Sequence, residues 1–298
     1  MSVTISSSFE VRRTEGAAGA EIVGVDLAGD LDERTFQELE RVYNSNPVVV
    51  ARNQNLTPAR QVAFGRRFGE LEIHVLKHYL LPEHPEILVI SNVRDDRGHL
   101  IGLADGGRVC LWHTDMSYLA SPPRGSMLHA LEVPMHEDGT ALGDTLFADT
   151  VAAYEALPQT MKTKLQGLKA IHRMTKGYDG GGKASDQRVA YTEEQRRENP
   201  ERAHPIVRVH PASGRKCLYI NKLCVVGIEG MPQAESDPLL EQLYAHCTRP
   251  EFVYQHRWRK GDLVMWDNCV AQHRATMDYE LPQRRLMHRT TLAGTAPF

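Results

Sequence analysis

A chain of 298 residues, 41% hydrophobic and 24% charged, has ordinary globular composition and is long enough to bury a sizeable core. A formal net charge of -3 gives no general pull towards nucleic acid, no apolar run approaches a membrane span, and Met1-Ser2-Val3-Thr4 opens no basic-then-apolar leader. The five cysteines are odd in number and lack C-x-x-C spacing, which argues against a zinc site or a disulfide framework and makes a reducing cytoplasm the expected compartment.

Residues 1–30 hold short β-like runs, such as Ala20-Glu21-Ile22-Val23. From Asp32, Phe36, Leu39 and Tyr43 recur at helical spacing until Asn46-Pro47. Val48-Val49-Val50 reads as a short buried strand. Thr57-Pro58 caps a second helix to about Phe68. Gly69 to Lys77 is irregular, residues 86–92 read as a strand, Asp95-Asp96-Arg97-Gly98 as a turn, and Gly- and Asp-rich residues 102–108 lead into an expected strand at His113. Strand patterns recur at 126–131 and 144–147, and a helix interrupted at Pro158 spans 150–168. Residues 173–203 are polar, include Gly180-Gly181-Gly182, and read as a candidate lid loop with a short helix near Thr192–Asn199. Strands follow at 206–209 and 217–220, then a helix over 236–247 with Ser236 as its cap, strands at 252–258 and 263–266, and a last run at 289–292. Short strands from both halves, with helices between them, predict a mixed β protein with flanking helices. The pattern suggests one β-sandwich or jelly roll, formed as a single domain over 1–298. Periodicity by itself leaves a generic α+β domain open.

The chemistry-bearing stretch is Leu111-Trp112-His113-Thr114-Asp115-Met116-Ser117. In an extended strand, positions i and i+2 point to one side, so His113 and Asp115 would aim at one point. An imidazole and a carboxylate are two ligands of the 2-His-1-carboxylate triad, which holds non-haem Fe(II) and leaves positions open. A short H-x-D pattern also arises by chance, and a half-buried His beside a surface Asp is its ordinary meaning. His273 is the best third ligand, because it follows a strong strand and precedes Arg285 and Arg289. Those arginines are four apart and share a face if extended. Together they could bind one dicarboxylate or two separate anions, although solvated arginines are the plain alternative.

These residues resemble the TauD/TfdA (taurine/2,4-dichlorophenoxyacetate) family of Fe(II)- and 2-oxoglutarate-dependent dioxygenases. The resemblance is carried by Trp112-His113-Thr114-Asp115, Gly143-Asp144-Thr145, Phe252-Val253-Tyr254 with Trp258, Gly261 to Asn268, Gln272-His273-Arg274-Ala275 and Arg284 to Leu292. Gly24-Val25-Asp26-Leu27 and Ala63-Phe64 with Arg66-Arg67-Phe68-Gly69 extend it to the N-terminal part. It implies a double-stranded β-helix (cupin-like jelly roll) core, and that His113, Asp115 and His273 hold Fe(II). Arg285, with the Thr145 hydroxyl, would clamp the distal carboxylate of 2-oxoglutarate, and Arg289 would face the substrate anion or the metal-bound carboxylate. Trp266 would pack under the site. His74 stands where taurine-type members use a His for the sulfonate. The chain departs from those members at Val109, where they carry Asn, and at Lys77, where they carry Tyr. Lys77 is similar to phenoxyacetate-type members and would meet a carboxylate as a point charge. A longer loop between Asp115 and Thr145, and an extra residue at Glu280, leave Arg284 as the alternative to Arg285.

The implied activity uses O2 to convert 2-oxoglutarate to succinate and CO2 while hydroxylating a small anionic substrate, with an aryloxyalkanoate-type carboxylate as first expectation. The alternative is the same chemistry on taurine, another sulfonate or an alkyl sulfate. A reading of another class is a non-catalytic jelly-roll binding protein, against which the intact triad and arginines count. Neither nucleic acid nor membrane is an expected partner. Leu- and Tyr-bearing helices are expected to serve a homo-oligomer, a dimer or tetramer.

Overall fold

The computed structural model describes residues 4–5, 8–14, 18–103, 111–174 and 193–298. Residues 175–192 of the expected lid (173–203), residues 104–108 of the Gly- and Asp-rich approach, and Val109 lie outside the described residues.

Strands β1 (Thr4–Ile5), β2 (Glu10–Arg13) and β3 (Gly19–Val23) come first. The Asp32 carboxylate accepts the Thr35 N–H at 2.8 Å and caps α1 (Glu33–Ser45), whose Phe36, Leu39 and Tyr43 are buried on one face. After β4 (Val48–Ala51), Thr57 caps α2 (Pro58–Arg66) with proline in the first turn. Strands β5 (Leu80–Leu81), β6 (His84–Ser91), β7 (Gly125–Glu132) and β8 (Thr145–Asp149) lead to α3 (Thr150–Glu155) and α4 (Gln159–Leu165), which divide at Pro158. Then come β9 (Lys169–His172), α5 (Glu193–Glu198), β10 (Arg202–Pro205), β11 (Val207–Val209), β12 (Lys216–Leu218) and β13 (Val225–Ile228). The chain ends through α6 (Gln233–Cys247), β14 (Val253–His256), β15 (Leu263–Asp267), β16 (Ala271–Ala275) and β17 (Leu286–Leu292).

Among the described residues, nine strands form one sheet in the order β1-β2-β3-β4-β15-β7-β17-β6-β5, and β14-β8-β16 form a smaller one. The two face each other across Val48, Val50, Leu128, Phe147, Trp258, Val264 and Trp266. The alternate residues Val49, Ala51, Met127, Met265 and Leu292 point the other way, into a second core with Phe36, Leu39 and Tyr43 of α1. Burial on both faces explains why the middle strands read as continuous apolar runs. A third core joins α3 and α6 to the β10-β9-β13 sheet. The result is mixed β with flanking helices, consistent with a jelly-roll core, although the sheets do not close. No helix among the described residues is long and apolar enough to cross a membrane.

Four expectations change. His113 lies on a single bridge to His273 and Asp115 enters a turn in which Met116 has φ 44°, so the H-x-D stretch is no strand. Helix α6 starts at Gln233 after Pro232, which puts Ser236 inside the helix and not at its cap. Strands β5, β9, β10, β13 and β16 form where the local pattern predicts none, and β10 takes Arg202 and Ala203 out of the expected lid loop. Leu239, Leu240, Leu243 and Tyr244 of α6 are buried in the chain's own core, so they are not available as a subunit contact.

Candidate active site

Strand β16 pairs with β8 on one edge, His273 opposite Phe147. On its other edge His273 and His113 exchange both backbone hydrogen bonds, at 2.8 and 3.0 Å. This directly opposed, hydrogen-bonded pair sets the two imidazoles side by side, with ring centroids 4.2 Å apart. The turn after Thr114 then swings Asp115 back under them. Asp115 Oδ1 lies 3.9 Å from His113 Nε2 and 3.9 Å from His273 Nε2. Three potential metal-binding atoms, all within 4.8 Å of one another, thus converge from two distant parts of the chain. The His113 Nδ1–H donates to the Leu111 carbonyl at 2.8 Å, which leaves the Nε2 lone pair facing the cluster.

Strand β17 alternates between two environments. Leu292 faces the α1 side, whereas Met287 and Arg289 face the inner side. Arg289 Nη1 donates to Asp115 Oδ1 at 3.3 Å. Arg285, just before the strand, is only 5% exposed, and its guanidinium lies 6.0 Å from the Trp258 ring and 5.8 Å from the Tyr279 ring. Its backbone is fixed at both ends, because its N–H donates to Asn92 Oδ1 at 2.8 Å and its carbonyl accepts the Ser91 hydroxyl at 2.8 Å. Its Nε has no hydrogen-bond partner among the described residues, a costly state for a buried cation without an anion. Gly143, at φ 74°, leaves room there, since a Cβ on it would stand 3.4 Å from that Nε and 3.0 Å from the Tyr279 ring. Arg284 points outward and pairs with Glu132 at 2.7 Å.

One cavity is lined by the His113–Asp115–His273 cluster together with His74, Thr145, Arg285 and Arg289. Thr145 Oγ1 accepts the Trp258 Nε1–H at 3.0 Å, which leaves the threonine hydrogen free to donate elsewhere. His74 Nδ1 accepts the Leu76 N–H at 3.2 Å, so the proton of its neutral ring sits on Nε2. Trp266 lies 4.9 Å from His273, centroid to centroid, and floors the site. Lys77 is not brought in. It is exposed on a short 3-10 turn, while Leu76 before it takes the position facing the cavity.

Sequence reasoning missed the apolar wall of the cavity, where Met116, Tyr118, Met174, Leu223 and Cys224 gather. These residues come from separate loops, and no local pattern links them. It also missed Ser126, whose hydroxyl donates to Asp115 Oδ2 at 2.9 Å. A serine at the head of an apolar strand was the available hint.

The model of the family "Taurine catabolism dioxygenase TauD, TfdA family" matches residues 10–291. The chain belongs to the TauD/TfdA family. The alpha-ketoglutarate-dependent 2,4-dichlorophenoxyacetate dioxygenase of Cupriavidus pinatubonensis is 38% identical over 94% of this chain and 95% of that protein. The alpha-ketoglutarate-dependent sulfate ester dioxygenase of Pseudomonas putida is 34% identical over 97% of this chain and 91% of that protein. Among solved structures, AAD-2 in complex with Mn(II) and N-oxalylglycine superposes with a TM-score of 0.77 at 30% identity, covering 100% of this chain and 99% of that one.

This TauD/TfdA protein is therefore an Fe(II)- and 2-oxoglutarate-dependent dioxygenase that uses O2. Its electrostatics suit the task. Burial works to raise the Asp115 carboxyl, but Arg289 and the two imidazoles hold it well below the usual carboxylate range, so it is ionised. Burial, with the charges of His113 and Arg289, pushes His273 down to about 3, so its lone pair is available. Burial and Arg289 push His74 down to about 4. An ionised carboxylate, imidazole nitrogens and a guanidinium unpartnered at Nε fit a divalent metal and a dicarboxylate in one cavity.

Proposed function

We propose that His113 and His273, through Nε2, and Asp115, through Oδ1, hold the Fe(II). Arg285 receives the distal carboxylate of 2-oxoglutarate, with the Thr145 hydroxyl as second donor. The observation that supports this most is the buried Arg285 guanidinium, unpaired at Nε in the same cavity as the converging His–His–Asp cluster. When bound, Fe(II) supplies the redox chemistry that couples decarboxylation of 2-oxoglutarate to succinate and CO2 with hydroxylation of a substrate C–H bond.

The residues of this chain orient the reactants. Arg289 and the Nε2–H of His74 form a second anion-recognising corner, which holds the charged end of the prime substrate. Met116, Tyr118, Met174, Leu223 and Cys224 take its apolar body and exclude water. A small carboxylate with an apolar body, of the aryloxyalkanoate kind, covers both regions. Taurine would leave the wall bare. An alkyl sulfate ester shares the apolar body and is the second reading, supported by the 34% identical relative. A panel of aryloxyalkanoates, alkyl sulfates and taurine, assayed by succinate release with His113→Ala as the blank, tests this. The expected order puts the carboxylates first and taurine last, and preferred turnover of taurine would overturn it.

A further inference from the structure

The two oxygens of Asp115 have different partners. Oδ1 faces both imidazole Nε2 atoms, each at 3.9 Å, and takes a hydrogen bond from Arg289 at 3.3 Å. Oδ2 is turned to Ser126 Oγ at 2.9 Å. Ser126 is fully buried near the head of β7, opposite Trp266 of β15. Behind it stands Asn268, whose Nδ2 is 3.4 Å from Ser126 Oγ and whose Oδ1 is 3.0 Å from Trp266 Nε1.

The direction of this chain follows from donor chemistry. An indole N–H is a donor only, so it must meet the amide oxygen of Asn268. The NH2 of Asn268 then faces Ser126 and occupies its oxygen as acceptor. The serine hydrogen is left with one acceptor, Asp115 Oδ2. The backbone of Asn268 is itself pinned, its N–H donating to the Arg124 carbonyl at 2.8 Å. Gly125 permits the approach of β7 to β15, since a Cβ there would lie 2.6 Å from the Trp266 carbonyl.

We propose that Ser126, aimed by Asn268 and Trp266, is a positioning residue that engages one oxygen of Asp115 and so makes the carboxylate a one-oxygen metal ligand. A carboxylate binding through both oxygens would use a coordination position that the co-substrates need. Partners outside the coordination shell commonly change metal affinity about 10- to 100-fold when removed. The proposal rests on the metal-site reading above and goes beyond it in naming the residue that sets how Asp115 binds.

The test uses the full-length metal-free protein and its Ser126→Ala and Ser126→Thr variants. Mn(II) is titrated while the electron paramagnetic resonance signal of free Mn(II) is followed. Anaerobic Fe(II) plus 2-oxoglutarate is then added and the visible charge-transfer band recorded. Ser126→Ala is expected to bind Mn(II) about 10-fold or more weakly and to weaken or shift the band, with an unchanged far-UV circular dichroism spectrum. Ser126→Thr, which keeps the hydroxyl, is expected to restore both readouts to within about threefold. Wild-type Mn(II) binding with Ser126→Ala equal to it in affinity and band would overturn the proposal alone. So would a folded Ser126→Thr no better than Ser126→Ala. A wild-type protein that binds no Mn(II) would overturn the metal-site reading, and the proposal with it.

Discussion

At the scale of the residue, the choice between Arg284 and Arg285 shows what one position of register decides. Both have the same chemistry, and β17 carries a register irregularity between Leu286 and Met287 where it meets β7. A one-residue slip exchanges the faces of a strand, so spacing cannot say which arginine points inward. The folded chain puts Arg285 on the cavity and Arg284 on the surface with Glu132. Arg285→Ala is therefore expected to raise the KM for 2-oxoglutarate about 10- to 100-fold, the value of a buried charge-assisted pair. Arg284→Ala should change it by less than about twofold, since exposed ion pairs contribute little. Succinate release measured against 2-oxoglutarate concentration checks both. A parallel contrast separates His74 from Lys77. His74→Ala should raise the KM for the prime substrate about tenfold, and Lys77→Ala should leave it nearly unchanged. An equal effect of the two substitutions would contradict the second anion corner. Lys77 misled the sequence reading because a charge at a plausible position says nothing of the turn that carries it outward.

At the scale of the element, helices were more legible than strands. Helices α1 and α2 carry their own start signals, Asp32 and Thr57-Pro58, and an apolar face. Strand β16 carries no such pattern. Ala271-Gln272-His273-Arg274-Ala275 becomes a strand only through β8 on one side and the His113 bridge on the other. The His113–Asp115–His273 cluster therefore depends on sheet contacts that are remote in sequence. Gly125→Ala tests how tightly β7 is seated. The added Cβ would collide with the Tyr43 hydroxyl and lie 2.6 Å from the Trp266 carbonyl. Overpacking of this kind should lower the unfolding free energy by about 2 kcal/mol or more, read from urea denaturation of the metal-free protein. A variant as stable as wild type would show that β7 can move aside.

At the scale of the whole molecule, buried neutral histidines make stability depend on pH. Burial is the main cause of low values at His172, down to about 3, and at His288, down to about 4. In the unfolded chain both return to about 6.5. Below that value the unfolded chain binds more protons than the folded one, so stability is fully present above about pH 6.5 and is lost as the pH falls towards 4. Urea midpoints of the metal-free protein should decline across that window, and His288→Gln should flatten the slope. A flat profile between pH 6.5 and 4 would show that the two rings are not held neutral. Ligands act in the opposite direction. Mn(II) with N-oxalylglycine, each at about 100 times its Kd, should stabilise the fold by about 2.7 kcal/mol or more, and a chelator should reverse the rise in Tm.

The sequence by itself determined what is local: the caps at Asp32 and Thr57, the apolar runs of strands buried on both faces, and the residue types able to bind metal and anion. These follow from spacing and side-chain chemistry within a few residues. Only the tertiary structure decided that Asp115 turns back under the two imidazoles, that Arg285 and not Arg284 faces the cavity, and that Ser126 holds the second oxygen of Asp115. Each depends on pairing between strands far apart in the chain, and no local pattern encodes that geometry.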